Sequence, residues 1–366
     1  MLRQILTAAL SLGAFAAFPQ QTKILTAEKH NEYGLVYSLP TTALQITVTA
    51  TRETRKAGPY RRYAQRFLGT SGVVEEDRVS WTITGVDVTP IGFRDADSQQ
   101  YLMQLKAGSL AYIGVASDGM LLSINAEPEE PDFDEINDGI PGPGRTLKAD
   151  GGVEDYLQYV DMDFVSAQNS MRQAEMVANS LMDVRDAYLS LTRGTADNTP
   201  TDGRQLELML SSLKDQESAF TRAFTGSVSV EEFTCQFLYV PEEDGEEVLF
   251  RMSDFTGFVD ADDYSGAPVY IKTEILQEGQ LPLDVNGEPK KFPKDGVVYA
   301  IPGTARITIS NGGTKPLVTR DMEFSQFGVT FALAPSLFTD KKAPSYARFS
   351  PVTGALVEIG KQTATE

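Results

Sequence analysis

Side chains able to act as nucleophile, metal ligand or proton shuttle are few in this sequence. It holds one His, His30, and one Cys, Cys235. A Ser-His-Asp or Cys-His arrangement would have to use His30, close to the start of the chain, where residues are commonly exposed and poorly tied down. A single His excludes the HExxH zinc motif and any multi-His metal site. A single Cys excludes an internal disulfide framework and a Cys-rich zinc site. Cys235 lies in the alternating run Phe233-Thr234-Cys235-Gln236-Phe237 and reads as a buried structural thiol. Ser211-Ser212-Leu213-Lys214 satisfies S-x-x-K, but the K-T-G and S-D-N companions of Ser-Lys enzymes are missing. Both side chains also fall on the polar side of a helix. There is no GxSxG, no P-loop and no Rossmann fingerprint. Acids crowd between Glu127 and Asp138, yet Ile136 stands where an EF-hand needs Asp or Asn, and the sixth-position Gly is missing. The reading is therefore no catalytic residue, no metal site and no cofactor. What composition still permits is glycan chemistry by two carboxyl groups across a cleft, and 51 acids single out no pair.

Charge narrows the partners. Lys plus Arg number 32 and Asp plus Glu 51, a formal net charge of −19. Such a chain repels phosphate backbones, so nucleic acid is excluded as a partner. One stretch breaks the trend. Arg52, Arg55, Lys56, Arg61, Arg62 and Arg66 face a single acid, Glu53, with Tyr60 and Tyr63 among them. The candidate partner-binding residues are Tyr60, Arg61, Arg62, Tyr63 and Arg66, as a landing patch for an anionic lipid headgroup, glycan or protein. The competing reading is pairing with the chain's own acids, and charge runs are more often solvated faces.

These residues need elements to position them. Leu44, Ile46, Val48 and Ala50 alternate with polar residues, the period of a half-buried strand. Gly58-Pro59 breaks that strand, Pro59 opens a short helix over Tyr60–Leu68, and Gly69 closes it. Val79, Trp81 and Ile83 resume the alternation, and Ser117-Asp118-Gly119 joins a hairpin. Residues 127–152 are acidic, then rich in Pro and Gly, and read as a mobile loop or linker. Phe164, Ala167, Met171, Ala174, Ala178 and Leu181 recur at helical spacing. Thr201 or Asp202 can cap a second helix, striped by Leu206, Met209 or Leu210, Leu213, Phe220 and Phe224. The two form an αα-hairpin. Strand patterns return from Ser227, at spacings that suit a sandwich or open barrel.

The first twenty residues read as an address. Arg3 precedes an uncharged, apolar run from Ile5 to Phe18, and Ala14-Phe15-Ala16 is an A-x-A cleavage pattern, together a secretory signal peptide. The run is too short for a transmembrane helix, which needs about 20 residues. No Cys follows it, which speaks against a lipoprotein anchor there.

The segment Gly58-Pro59-Tyr60-Arg61-Arg62-Tyr63-Ala64-Gln65-Arg66-Phe67-Leu68-Gly69 resembles the G-P-Y-x-x-Y-A-x-x-[YF]-L-G segment of an uncharacterised family of secreted envelope proteins from Gram-negative anaerobes. Arg185-Asp186-Ala187-Tyr188, Gly194, Pro200, Asp202-Gly203 and Phe224-Thr225-Gly226 follow the order of that family's hairpin landmarks, and Phe250-Arg251-Met252-Ser253 and Gly257-Phe258-Val259 come after them as in the family. The family is a domain of unknown function, so the resemblance implies architecture and address but no activity.

The expectation is an α+β protein with two β-rich, sandwich or open-barrel-like domains joined by a long αα-hairpin. The divisions are 1–20 signal peptide, 21–126 N-terminal β-rich domain, 127–152 acidic loop, 153–226 helical hairpin and 227–366 C-terminal β-rich domain. The expected function is an exported, non-enzymatic binding or assembly component of the bacterial envelope, periplasmic or outer-membrane-associated. Its expected partner is another envelope protein or a surface glycan, and it is not an integral helical membrane protein. The alternative is a glycan-acting enzyme using paired carboxylates.

Overall fold

A computed structural model describes residues 23–24, 35–95, 99–103, 112–129, 138–197, 202–293, 296–313, 315–338 and 344–361. The expected signal peptide, His30 and residues 130–137 of the acidic segment lie outside the described residues.

The first strands are β1 (Lys23–Ile24), β2 (Leu35–Ser38), β3 (Thr41–Lys56) and β4 (Arg78–Phe93), with the short helix α1 (Ala64–Leu68) between the last two. Then come β5 (Gln100–Met103), β6 (Ile113–Val115), β7 (Leu121–Ile124) and β8 (Arg145–Ala149). Helices α2 (Met162–Ser166), α3 (Ser170–Arg193) and α4 (Gly203–Thr225) follow. The remaining strands are β9 (Ser227–Tyr239), β10 (Gly245–Ser253), β11 (Gly257–Val259), β12 (Ala267–Gln277), β13 (Val297–Ser310), β14 (Val318–Leu333), β15 (Ser345–Phe349) and β16 (Leu356–Lys361). The architecture is α+β.

Two antiparallel sheets carry the first core: β4-β3-β9-β8 and β11-β10-β12-β13-β14. The period-two pattern of β3 has the outcome its sequence dictates, with Leu44, Ile46, Val48 and Ala50 all fully buried. Leu44, Ile46, Val48 and Cys235 pack against Phe250, Ile271, Ile307 and Phe324 of the facing sheet. A second core gathers β2, β5, β7 and β15 around Val297–Tyr299 and Phe331. The long strands β13 and β14 therefore pass through both cores. They bend where one core gives way to the other, with a register shift between Ile301 and Gly303. A Cβ at Gly303 would strike the Phe327 carbonyl, and one at Gly328 the Ile301 carbonyl, so close crossing of the backbones requires glycine there. In the second core the Val298 N–H donates to the Tyr37 hydroxyl (2.8 Å).

The segments before and after the helices share their sheets. Leu44–Lys56 of β3 pairs residue by residue with Tyr239–Ser227 of β9, and β7 pairs with β15. Residues 21–126 and 227–366, read from sequence as separate β-rich domains, are thus interleaved. Alternation in sequence reveals which face of a strand is buried, not which strand it pairs with. The expected linker differs too. Arg145–Ala149 forms edge strand β8 on β9, and Asp138 accepts a hydrogen bond from the Leu238 N–H (2.9 Å).

The helices run antiparallel, as the Arg185–Glu217 ion pair (2.7 Å) and Lys214 over the Tyr188 ring (5.6 Å) fix. Asn169 caps α3 by accepting from the Met171 N–H (2.8 Å), and Asp202 caps α4 by accepting from Arg204 N–H (3.2 Å). Ala174, Val177 and Leu181 meet Phe220, Ala223 and Phe224 in a third core. Phe164 is not on the first long helix, as its spacing suggests. It sits on α2, and the break before Asn169 lets its ring meet Tyr156 edge-on (5.9 Å).

Two outcomes follow from this packing. Phe250→Ala opens a cavity in the first core and costs about 3–5 kcal/mol in urea unfolding. Burial, seconded by the charge of Asp138, pushes the Cys235 thiol up to about 12, and burial pushes the Tyr239 phenol up to about 12. Both groups are held neutral in the folded chain, so their stabilisation is complete below the ordinary thiol value of 9.0 and is lost as pH rises toward 12. Unfolding free energy measured across this alkaline range falls, and Cys235→Ala flattens the start of the fall.

Candidate functional site

The strand β3 delivers the chain to the base of the helical hairpin. Its last residue, Lys56, pairs with Ser227, two residues beyond the end of α4. The chain then crosses the end of α4 so closely that a Cβ at Gly58 would strike the carbonyls of Arg222 and Ala223. Glycine is the residue that permits this approach. The Tyr60 N–H donates to the Ala223 carbonyl (2.9 Å). A 3-10 turn, Arg61–Tyr63, leads into α1, and Gly69 ends it at φ 67°.

Of the five candidate residues, Tyr60 is a core residue and not a contact surface. It is 4% exposed, its ring meets Phe224 (5.8 Å) and Tyr156 (5.7 Å), and its hydroxyl shares a hydrogen bond with that of Tyr156 (3.1 Å). Burial pushes both phenols above their ordinary range. Tyr63 is half-buried and sits against Phe67 (6.3 Å), with its hydroxyl 3.2 Å from that of Ser170 at the start of α3. Arg66 lies over the Phe67 ring (5.5 Å) and reaches the sulfur of Met171 (3.8 Å). Arg61 is half-buried and Arg62 exposed.

The six cations of the Arg52–Arg66 run separate into two kinds. Arg52 pairs with Glu231 and lies over the rings of Phe233 (5.2 Å) and Trp81 (5.8 Å). Arg55 pairs with Glu53, and Lys56 with Asp77 (2.8 Å). The Lys56 ammonium, the Ala57 N–H and the nearby charges of Lys56 and Arg61 hold the Asp77 carboxyl below the usual carboxylate range. Among the described residues no carboxylate lies within 4.0 Å of Arg61, Arg62 or Arg66. Self-pairing thus accounts for the strand half of the run and leaves the helical half open. Sequence reasoning missed Ser170 and Met171, which complete this surface. Of the aromatic bed beneath it, Phe164 and Phe224 were visible only as members of helix stripes and Tyr156 was missed.

The other motifs resolve differently. Lys214 of the S-x-x-K stretch is engaged with Tyr188 (5.6 Å), in a groove of about 410 Å³ that Ser211 also lines. Carboxylates gather in a groove of about 800 Å³ beside α4, lined by Asp155, Tyr159, Arg185, Asp215, Glu217 and Arg222. Two of them are tied to arginine: Asp155 to Arg222 (2.8 Å) and Glu217 to Arg185 (2.7 Å). A third groove, about 830 Å³, lies along the bend of β13 and includes Asp321, whose carboxyl the Arg306 guanidinium holds below the usual range. A glycosidase general acid needs the opposite shift. Among the described residues no three His, Cys, Asp or Glu side chains are grouped to hold a metal ion. Nor is any described helix long and apolar enough to cross a membrane.

A family model described as Domain of unknown function (DUF4831) matches residues 33–357. The chain belongs to the DUF4831 family. No curated protein and no solved structure matches it. The DUF4831 match spans the strand β3, the arginine segment, both long helices and nearly all of the closing strands. The mounting of that segment on the hairpin is therefore a feature within the family domain.

The mounting has a measurable cost when removed. Tyr60→Ala destabilises by about 3–5 kcal/mol in urea unfolding, because it empties a buried aromatic site. Tyr60→Phe keeps the ring, loses one hydroxyl hydrogen bond and costs only about 1 kcal/mol.

Proposed function

We propose that this DUF4831 protein is an exported, non-enzymatic binding or assembly component of the bacterial cell envelope, periplasmic or outer-membrane-associated. In this reading the surface of the 3-10 turn and α1 captures an anionic partner, another envelope protein or a surface glycan. One observation carries the reading. In a chain of net charge −19, Arg61, Arg62 and Arg66 stand together without carboxylate partners among the described residues, on a segment fixed by a buried tyrosine. A segment whose backbone is already held in place loses little backbone freedom on binding, and complementary charge steers encounter. The apolar lead run with Ala14-Phe15-Ala16 supports the exported address.

The test is affinity capture from solubilised envelopes by the wild-type protein and by Arg61→Glu/Arg62→Glu/Arg66→Glu. Arg62 is exposed, while Arg61 is half-buried and Arg66 lies over the Phe67 ring, so urea unfolding of the variant is measured alongside and capture is compared for folded protein only. The expected result is a stoichiometric partner held by the wild type and lost by the folded variant. Equal capture by both would remove the arginine surface from the function. Intact-mass measurement of the same purified protein reports whether the first twenty residues have been removed.

A further inference from the structure

Away from the arginine segment, the turn β10–β11 and the loop β11–β12 lie at one end of the five-stranded sheet and hold two aromatic rings out in solvent. Phe255 is 86% exposed and Tyr264 84% exposed. Single exposed apolar residues are ordinary. Two almost bare rings on adjoining short turns are not, and the support beneath them is specific.

Arg251 of β10 reaches under the loop. Its Nε donates to the Ala261 carbonyl (2.8 Å) and its Nη1 to the Gly266 carbonyl (3.2 Å). The same guanidinium lies 4.5 Å from the centre of the Tyr264 ring. One face of Tyr264 is thus backed by a cation fixed at two carbonyls, and the ring remains almost wholly exposed. Asp263 accepts from the Ser265 N–H (2.9 Å), and the Asp263 N–H donates to the Asp260 carbonyl (3.0 Å), which closes the loop on itself. Below, Phe258 anchors β11 in the first core against Phe250 (5.5 Å) and Phe237 (6.3 Å). The Phe255 N–H donates to the Ser253 hydroxyl (3.4 Å), and Ser253 is buried. The rings therefore stand on a rigid mount.

The charges around them select the ligand. Asp254, Asp260, Asp262 and Asp263 are all exposed, so an anion is repelled. Arg251 beneath Tyr264 opposes a cation stacked on the open ring face. An apolar chain or bilayer would have to desolvate four carboxylates. The remaining chemistry is a neutral molecule with C–H faces for the rings and hydroxyl donors for the carboxylates, which accept only. C–H groups interact favourably with the negative face of an aromatic ring. We propose that Tyr264 and Phe255, with the surrounding carboxylates, form a binding platform for a neutral carbohydrate. It is separate from the arginine surface and stands whether or not that surface captures a partner.

The probes are maltohexaose, isomaltohexaose, cellohexaose and laminarihexaose, with a hexalysine peptide as the cationic comparison, read by saturation-transfer NMR and calorimetry on the full-length protein. The expected result is binding of at least one neutral hexasaccharide with an affinity near ~1 mM or tighter and little response to added salt. Tyr264→Ala weakens it at least tenfold, Tyr264→Phe leaves it unchanged, and Phe255→Ala weakens it by a smaller factor. Both rings are exposed, so the variants keep the wild-type melting temperature. Three results would overturn the proposal: no binding of any of the four sugars, sugar binding indifferent to Tyr264→Ala, or hexalysine binding that salt abolishes while the sugars do not bind.

Discussion

The ladder between β3 and β9 is the constraint on which the rest of the molecule depends. It joins Leu44–Lys56 to Ser227–Tyr239 without a register break, across the whole helical region in sequence. Closing so long an excursion costs chain entropy, although the cost grows only slowly with length. The ladder is repaid by its buried face, where Leu44, Ile46, Val48 and Cys235 meet the second sheet. Once it is formed, the end of β3 and the end of α4 must lie side by side. The close pass at Gly58 and the burial of Tyr60 against Phe224 follow from that adjacency.

The same geometry sorts the cations. On β3 the side chains of Arg52 and Arg55 lie in a sheet where acids stand opposite or nearby, and they pair with Glu231 and Glu53. Past Gly58 the chain leaves the sheet. Arg61 and Arg62 then project from the 3-10 turn and Arg66 from α1, and the contacts of this segment on α3 are Tyr63 with Ser170 and Arg66 with Met171. Exposed ion pairs contribute little to stability, so the pairing on the strand is not what holds the fold. It decides which charges remain available to a partner.

Local pattern carried much of this into the sequence. The core face of β3, the hairpin at Asp118-Gly119, the Asp202 cap and the Phe220 and Phe224 stripe are readable because each depends on residues close in the chain. Alternation could place Cys235 on either face, and its burial was expected from the tendency of a free Cys to be buried. Pairing partners are not local, so the interleaving of the two β-rich segments was hidden, as was the strand Arg145–Ala149 within a stretch dominated by acids, Pro and Gly. For the site, the arginines were legible as a run, but their division into paired and unpaired halves depends on Glu231, far away in sequence. Tyr60 looked like a contact residue because it sits among arginines. Its burial depends on Tyr156 and Phe224, which only the fold brings to it. Phe255 and Tyr264 left a fainter trace, aromatic residues inside turns otherwise made of Asp, Ala, Gly, Ser and Thr.

The central claim is that the ladder and the Tyr60 contact hold the arginine segment as a fixed surface on the hairpin base. Native-state hydrogen exchange at the amides of Tyr60 and Tyr63 measures this directly, since the Tyr60 N–H bonds Ala223 and the Tyr63 N–H bonds the Tyr60 carbonyl. The account predicts protection of the Tyr60 amide comparable to that of Ile46 and Val48 in β3, with Tyr63 protected above the free-loop rate. Exchange of both amides at the rate of an unstructured loop, while β3 stays protected, would contradict it.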